Sequence, residues 1–369
     1  MHDGAGGSPA RKAFNPAKAV AIKTSEIRDI WLESYLQCAA VEAHFRTSRL
    51  LQVLGSTDEI RLGCMVRPVV LSLSLICFSS SLPSQNHAPA RPSILGVAHI
   101  GLRTDNLDAA RNFYGHILGY QEPFNLDQPS GGLLLTYFKV NDHQYIEVFP
   151  GMKTPDEDRL YHIAFETTDA RQLRDYLAAN GIETPAAVKP GRDGNLSFMI
   201  KDPDGHNVEF VQYMPGSLHS RNFGKFLPDT RISQRIIHVG ITVKDQANAD
   251  RFYKDVLGFH SIWHGGKTDD RTDWVDMRVP DGTDWLEYML NVNNPSPRTL
   301  GVMHHLALGV PSVEDGYKTI LARGYKPEKP PQIGRDGKWQ LNLYDPNFTR
   351  AELMEPVPVQ TPCCSPITK

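Results

Sequence analysis

The feature that most constrains the fold is a short strand motif that recurs four times along the chain. Each copy places one histidine among apolar residues, and these histidines are His99, His162, His238 and His305. His162 and His305 are 143 residues apart, as are Asp202 and Asp345, while His99 and His238 are 139 residues apart. Internal repeats at a fixed offset indicate repeated structural units. The chain is therefore predicted to contain four related modules.

Each histidine strand is followed by a helix-length amphipathic stretch and then by alternating, strand-like segments. The clearest helices are predicted from Leu107 to Leu118 and from Ala247 to Leu257. Gly119 and Gly258 follow them directly, and glycine is the usual residue just after a helix ends. This order predicts an α+β protein built from four βαβββ modules.

The repeat offsets group the modules into two homologous halves. We expect a first domain over 95–213, with modules 95–150 and 159–213, and a second over 235–357, with modules 235–292 and 301–357. A linker is predicted over 214–234. The Pro-rich end, 358–369, is predicted to be a loose tail, with the vicinal cysteines Cys363 and Cys364 at its solvated end.

The segment 65–90 has the features of an export signal. Met65-Val66-Arg67 gives a positive start, an apolar run follows over 69–78, and 88–90 offers a small-residue cleavage site. That run is shorter than the roughly 20 residues needed to span a bilayer. We hypothesise that Met65 is the true start and that 1–64 is an extension outside the mature protein, which predicts an exported, periplasmic or secreted, protein. If 1–64 is genuine, a cytoplasmic location is expected.

Composition excludes several classes of function. The net charge is −3, hydrophobic residues make up 40% of the chain, and the chain has neither a CxxC pair nor a Gly-rich phosphate loop. Such values are typical of a soluble globular protein and give no reason to expect a nucleic-acid partner. We therefore expect a small-molecule substrate and no stable membrane span, with the oligomeric state open.

Each module also ends with a strand that carries one glutamate among apolar neighbours. A buried carboxylate needs a positive partner, and the histidine of each module is a natural companion. A lone histidine on such a strand is more often a hydrogen-bonded core residue, but recurrence in four modules favours metal ligation. Nitrogen and oxygen donors without sulfur suit Zn, Fe, Mn or Ni. The predicted ligands are His99, Glu147, His162 and Glu209 in the first half and His238, Glu287, His305 and Glu352 in the second.

Further residues of the third module carry a family resemblance. They are His238-Val239, Ile241, Val243, Ala249, Phe252-Tyr253 and Leu257-Gly258-Phe259, and Asp202-Pro203-Asp204-Gly205 and Asp345-Pro346 precede the closing glutamates. Over roughly 95–357 the chain resembles the vicinal oxygen chelate superfamily, which includes glyoxalase I, extradiol dioxygenases and bleomycin resistance proteins. The resemblance implies that the modules pair into two incomplete mixed β-barrels around the metal, with helices outside.

The resemblance also implies residue roles. In glyoxalase I the last-strand glutamate helps to move the substrate proton, a role that falls here to Glu209 or Glu352. Arg103 matches a glutathione-contacting arginine, but Gly151 and Asp158 replace the other glutathione-binding residues.

Three functions follow in order of preference. The first is a metal-dependent glyoxalase-like lyase or isomerase that acts on a small oxygenated substrate chelated through vicinal oxygens. The second is an extradiol-type ring-cleaving dioxygenase with iron on His238, His305 and Glu352, although its closing histidine signature is absent around 344–348. The third is a metal-free, bleomycin-resistance-like binding protein that sequesters a ligand. The eight matched histidines and glutamates argue against this third function.

Overall fold

The computed structural model describes residues 89–368. The predicted extension 1–64 and all but the last two residues of the export signal lie outside the described residues. Within the described range, no helix is both long and apolar enough to cross a membrane.

The first eight strands form one mixed sheet. Their order is β2-β3-β4-β1-β5-β8-β7-β6, in which β1 and β5 pair antiparallel at the centre and each also pairs with a parallel neighbour, β4 or β8. The strands are β1 (Ile94–Thr104), β2 (Asn125–Asp127), β3 (Leu133–Lys139), β4 (Tyr145–Pro150), β5 (Leu160–Thr167), β6 (Lys189–Pro190), β7 (Leu196–Lys201) and β8 (Asn207–Gln212).

The next eight strands form a second sheet with the same topology, β10-β11-β12-β9-β13-β16-β15-β14. Each sheet is a curled half-barrel made of two modules, so the predicted α+β fold of paired βαβββ modules is confirmed. The strands are β9 (Ile236–Thr242), β10 (His260–Gly265), β11 (Trp274–Arg278), β12 (Trp285–Met289), β13 (His305–Gly309), β14 (Gln332–Ile333), β15 (Trp339–Tyr344) and β16 (Arg350–Met354).

The helices of the described range are short and begin at capping side chains. The Asn106 side chain accepts a hydrogen bond from the amide of Ala109, and Asp245 does the same for Asn248. Gly119 and Gly258 follow the first helix of each half with φ of +81° and +84°, a conformation that favours glycine. The helices are α1 (Leu107–Arg111, continuing as a π-helical segment, Asn112–Ile117), α2 (Ala170–Ala179), α3 (Leu218–Arg221), α4 (Gln246–Asp250, continuing as a π-helical segment, Arg251–Val256), α5 (Pro297–Met303) and α6 (Val313–Ala322).

The two halves share one core and exchange matching hydrogen bonds. Tyr114 donates its hydroxyl to Asp345 at 2.9 Å, and its counterpart Tyr253 donates to Asp202 at 3.1 Å. Buried apolar residues of both sheets belong to a single contiguous cluster. The helix that leads each half is thus anchored to the last turn of the other half.

The tail differs from the sequence prediction. The backbone amides of Val359, Cys363 and Thr368 donate to the carbonyls of Gly337, Arg335 and Ile262 at 2.8–2.9 Å. Strand β10 lies at the edge of its sheet, and an edge leaves backbone groups that another segment can satisfy. The prediction of a loose tail was therefore wrong: the segment is a strap held against β10 and the 334–337 turn, and Cys363 and Cys364 are bonded to each other as a disulfide.

Candidate metal centres

The strand order brings the predicted ligands of each half to one place. His99 lies on β1 and His162 on β5, the central pair of the first sheet, while Glu147 and Glu209 lie on their outer neighbours β4 and β8. Gly101 pairs with both Glu147 and His162 in the sheet register. Residues almost fifty positions apart in sequence are therefore neighbours because parallel strands flank an antiparallel pair.

We call these four residues the first donor cluster, in which each carboxylate lies close to both imidazoles. His99 Nε2 lies 3.5 Å from Glu147 and 3.4 Å from Glu209, and His162 Nε2 lies 3.4 and 3.3 Å from the same carboxylates. Ligand atoms that are 2.0–2.2 Å from one ion lie roughly 3–3.5 Å from each other. Each carboxylate thus lies at this spacing from both imidazoles, and His99, Glu147 and His162 offer ligand atoms that all lie within 4.8 Å of one another.

The polar atoms of the first donor cluster are not satisfied by the protein alone. Among residues 89–368, neither ring nitrogen of His162 has a hydrogen-bond partner, and His99 Nδ1 has none either. A buried polar atom without a partner costs about 1–3 kcal/mol, which a cation would recover at the nitrogens it binds. The residues present therefore fit a divalent cation.

Electrostatics in the first donor cluster also favour positive charge at its centre. Burial alone would lower the pKa of His99, but Glu147 and Glu209 raise it to about 9. Burial works to raise the pKa of Glu209, and the hydrogen bond and charge of His99 bring it down to about 2. Burial raises the pKa of Glu147 to about 7. The two carboxylates thus hold a proton on an imidazole at the place where a metal would sit.

The counterpart residues of the second half form the second donor cluster, which is less regular. His305 Nε2 lies 3.1 Å from His238 Nε2 and 3.0 Å from Glu287, while Glu352 is 4.0 Å away. His305 Nδ1 lies 2.8 Å from the carbonyl of Met303, which can only accept, so Nδ1 carries the proton and Nε2 presents a lone pair. That lone pair accepts a hydrogen bond from Arg350, which a bound cation would displace. Burial lowers the pKa of both histidines, and neutral imidazole is the ligating form.

Two glycines that the sequence analysis did not single out make room for these rings. A Cβ at Gly101 would overlap the imidazole of His162, and a Cβ at Gly240 would overlap that of His305. Both glycines stand two residues after the first histidine of their half. That repeated His-x-Gly spacing is the sequence signal for the requirement.

Arg350 is a further site residue that sequence reasoning missed. Its Nη2 donates to His305 Nε2 at 2.8 Å, and its Nη1 lies 3.8 Å from Glu352. The position 143 residues earlier is Asn207, whose side-chain amide donates to the carbonyl of Tyr161 instead. Comparing the two halves at the repeat offset would have revealed this difference.

A cavity of about 270 Å³ adjoins the second donor cluster. His238, Glu287, Arg350 and Glu352 lie on its polar side, and Trp263 and Trp274 contribute apolar walls. The second half therefore presents its cluster to a small-molecule-sized space.

The corresponding region of the first half is filled by aromatic side chains around His219, which α3 supplies. The imidazole of this residue lies 4.6–5.4 Å, centroid to centroid, from four aromatic rings, those of Phe124, Tyr137, Tyr145 and Tyr213. Burial lowers the pKa of His219 to about 3. The counterpart of Tyr145 is Trp285, which has Lys338 over its ring at 4.8 Å. No sequence pattern singles out His219, because it has no histidine counterpart in the other half.

Arg103, the predicted substrate contact, lies beyond His99 on the same strand. Its Nη1 donates to the carbonyls of Asp158 and Leu160 at 3.0 and 3.4 Å, and its guanidinium lies over the ring of Tyr161. A role in substrate binding stays a prediction.

The sequence matches the Glyoxalase/Bleomycin resistance protein/Dioxygenase superfamily over residues 96–210 and again over 235–353. The chain belongs to this superfamily, with one family unit in each half.

Relatives with two activities are similar to the chain. Lactoylglutathione lyase of Neisseria meningitidis serogroup A is 27% identical over 127 residues, which are 32% of this chain and 92% of the relative. An iron-dependent extradiol dioxygenase of Rhodococcus jostii is 28% identical over 179 residues, 45% of this chain and 55% of the relative. The 2,3-dioxygenase LapB of Pseudomonas superposes with a TM-score of 0.56 at 17% identity, over 74% of this chain and 97% of that one, and so shares its fold.

Proposed function

We propose that the protein is a metal-dependent, glyoxalase-like lyase or isomerase acting on a small oxygenated substrate chelated through vicinal oxygens. The observation that carries the proposal is the donor set of two histidines and two glutamates in each half, most regular in the first donor cluster. Four protein ligands leave two positions of a six-coordinate ion, which suits two neighbouring substrate oxygens. A bound divalent cation would polarise such an oxygen as a Lewis acid.

Glu352 is the carboxylate best suited to move the substrate proton. Burial raises its pKa to about 7 although Arg350 opposes this, and it lines the cavity. A base with a pKa near the working pH is the most effective. Glu209, whose pKa is brought down to about 2 beside His99, is a weaker base and is better suited to hold a cation.

A ring-cleaving dioxygenase is the second candidate, because of the composition of the second donor cluster. His238, His305 and Glu352 offer ligand atoms that all lie within 4.8 Å of one another. Two histidines and one carboxylate are the ligand set of many non-haem iron oxygenases. The similarity to an iron-dependent extradiol dioxygenase supports this alternative.

Elemental analysis tests the metal centre directly. We expect the wild-type chain to contain one divalent cation in each half, and H305A and E352Q to lose the ion of the second half because each removes a ligand. H162A is the matched control and should lose only the ion of the first half. Full metal occupancy in H305A or E352Q would contradict the assignment.

The E287Q variant distinguishes the two candidate functions by the number of residues that hold the ion. If four residues hold the ion, E287Q should weaken metal binding by at least about tenfold, since even side chains that only support a ligand contribute that much. If only three residues hold it, E287Q should bind metal like the wild type.

Activity assays then complete the distinction between the two functions. Metal-dependent deuterium exchange at the hydroxyl-bearing carbon of a 2-hydroxy ketone, the carbon next to the carbonyl, would support the lyase or isomerase. Oxygen consumption with catechols would instead identify a dioxygenase.

A further inference from the structure

We infer that the second-half cavity binds the carboxylate of a small organic acid through Arg350. This deepens the proposed function, on which it rests in one respect: the oxygen on the carbon next to the carboxylate would face the second donor cluster.

Arg350 has more donors than partners. A guanidinium carries five N–H groups in a planar fork. Here one of them donates to His305 Nε2, while Nε is buried and has no hydrogen-bond partner in the part of the chain that the structure describes. The carboxylates of Glu352 and Glu287 are 3.8 and 4.0 Å away, beyond hydrogen-bonding distance. Donors on this side chain therefore remain for a ligand in the cavity.

The other arginine among the described lining residues is already engaged. Arg335 pairs with Asp269 and donates Nε to the carbonyl of Gly266 at 3.0 Å. Nearby Lys338 is paired with Asp336 at 3.2 Å. Arg350 is thus the cation of this region that is placed to receive an anion, and Asn207 at the matching position of the first half carries no charge.

A carboxylate fits this donor better than other groups. The planar fork of arginine matches the two oxygens of a carboxylate, and such charge-assisted pairs are among the stronger hydrogen bonds. Cavities that hold drug-sized ligands measure about 300–1,000 Å³, so one of about 270 Å³ suits a small acid.

The apolar walls indicate what the rest of the acid carries. Trp263, Trp274 and Met354 line the cavity together with the polar residues. An acid that extends an apolar or aromatic group toward them would bury that group while its charged end meets Arg350. A 2-hydroxy acid with an aromatic substituent would place its carboxylate at Arg350, its hydroxyl at the second donor cluster and its ring against the apolar walls.

Calorimetric titration of the full chain with mandelate, a 2-hydroxy acid with a phenyl group, tests the inference. Mandelamide is the matched uncharged ligand. We expect mandelate to bind the wild type at least about tenfold more tightly than mandelamide does, and R350Q to lose at least about tenfold in mandelate affinity, because a charge-assisted pair is removed. R350K, which keeps the charge without the fork, should lie between the two. R335Q, which removes a cavity arginine that is already paired, should bind mandelate within about twofold of the wild type, as expected for an exposed ion pair.

The same proteins distinguish this inference from the proposed function. Mandelate that fails to bind the wild type, binds no better than mandelamide, or binds R350Q as well as the wild type would overturn the role of Arg350. Metal content is read separately: R350Q should hold its ion at least as tightly as the wild type, because a positive charge beside the ligands is gone. If the wild-type protein contains no metal but still binds mandelate more tightly than mandelamide through Arg350, the proposed function is contradicted. This inference would then still hold.

Discussion

At the scale of the residue, Asp345 shows how one side chain ties the two halves together. One oxygen accepts from the amides of Asn347 and Thr349 at 2.9 and 2.8 Å, and the other accepts from the Tyr114 hydroxyl of the other half. The residue is only 5% exposed. Burial raises the pKa of Asp345 to about 6, which these hydrogen bonds do not fully offset.

This pKa predicts a pH-dependent difference between the wild type and D345N. The folded-state pKa lies above the unfolded value of 3.8, so the favourable contribution is present at low pH and is lost as the pH rises through about 6. Between pH 4 and 7.5 the wild type should therefore lose about 2 kcal/mol of unfolding free energy relative to D345N, which titrates no carboxyl there. Urea unfolding of both proteins at the two pH values measures this. A difference that does not change with pH would show that Asp345 titrates normally.

Single residues were also the least predictable level of the structure. The eight residues of the two donor clusters could be predicted to lie together because histidine and glutamate recur at matching places in the four modules. Arg350 could have been noticed only by comparing it with Asn207, its counterpart in the first half. His219 could not be singled out, because α3 carries it into the aromatic cluster and its contacts depend on side-chain direction in the fold.

At the scale of the element, repetition and turn chemistry predicted the histidine and glutamate strands of each module and the leading helix of each half. These helices end at Ile117 and Val256, one residue before the predicted ends, and Gly119 and Gly258 follow with the positive φ that favours glycine. The four-residue helix α3 and the strap at 358–369 were not predicted. Both are short and are held by partners distant in sequence, so their own periodicity carries no signal.

The strap predicts a change in amide exchange on β10. The amide of His264 donates to Ser365 Oγ at 2.9 Å, and Trp263 donates its ring N–H to the carbonyl of Cys363. Removing residues 358–369, or the S365A change alone, should speed exchange at His264 by about fivefold, as expected for the loss of a hydrogen bond worth about 1 kcal/mol. Hydrogen-exchange mass spectrometry of the 262–265 segment reports the effect.

Strand β13, which lies at the centre of the same sheet, is the internal control for that experiment. Its exchange should be unchanged in both variants. Unaltered protection of His264 in the shortened chain would mean that the strap does not hold β10.

At the scale of the whole molecule, the repeat offsets predicted two similar halves but not the contacts between them. The shared core and the Tyr114–Asp345 and Tyr253–Asp202 bonds join side chains whose pairing is set by packing of one sheet against the other. These contacts predict that the halves unfold together.

Cooperative unfolding can be measured in urea by hydrogen exchange of peptides from β4 and from β12. The two midpoints should coincide in the wild type. Y253F should lower both by the equivalent of about 1 kcal/mol, because it removes one hydrogen bond between the halves. Two separate midpoints, or a change confined to β12, would indicate independent domains.

The presence of both family units in one polypeptide has a consequence for how this protein can diversify. In a symmetric homodimer of single units, every substitution appears twice and alters both pockets at once. Here Arg350 stands in one half and Asn207 at the matching place in the other, and aromatic rings surround His219 in the first half. Two units in one polypeptide can thus differ in the ligand that each pocket accepts, because a substitution in one half leaves the other unchanged.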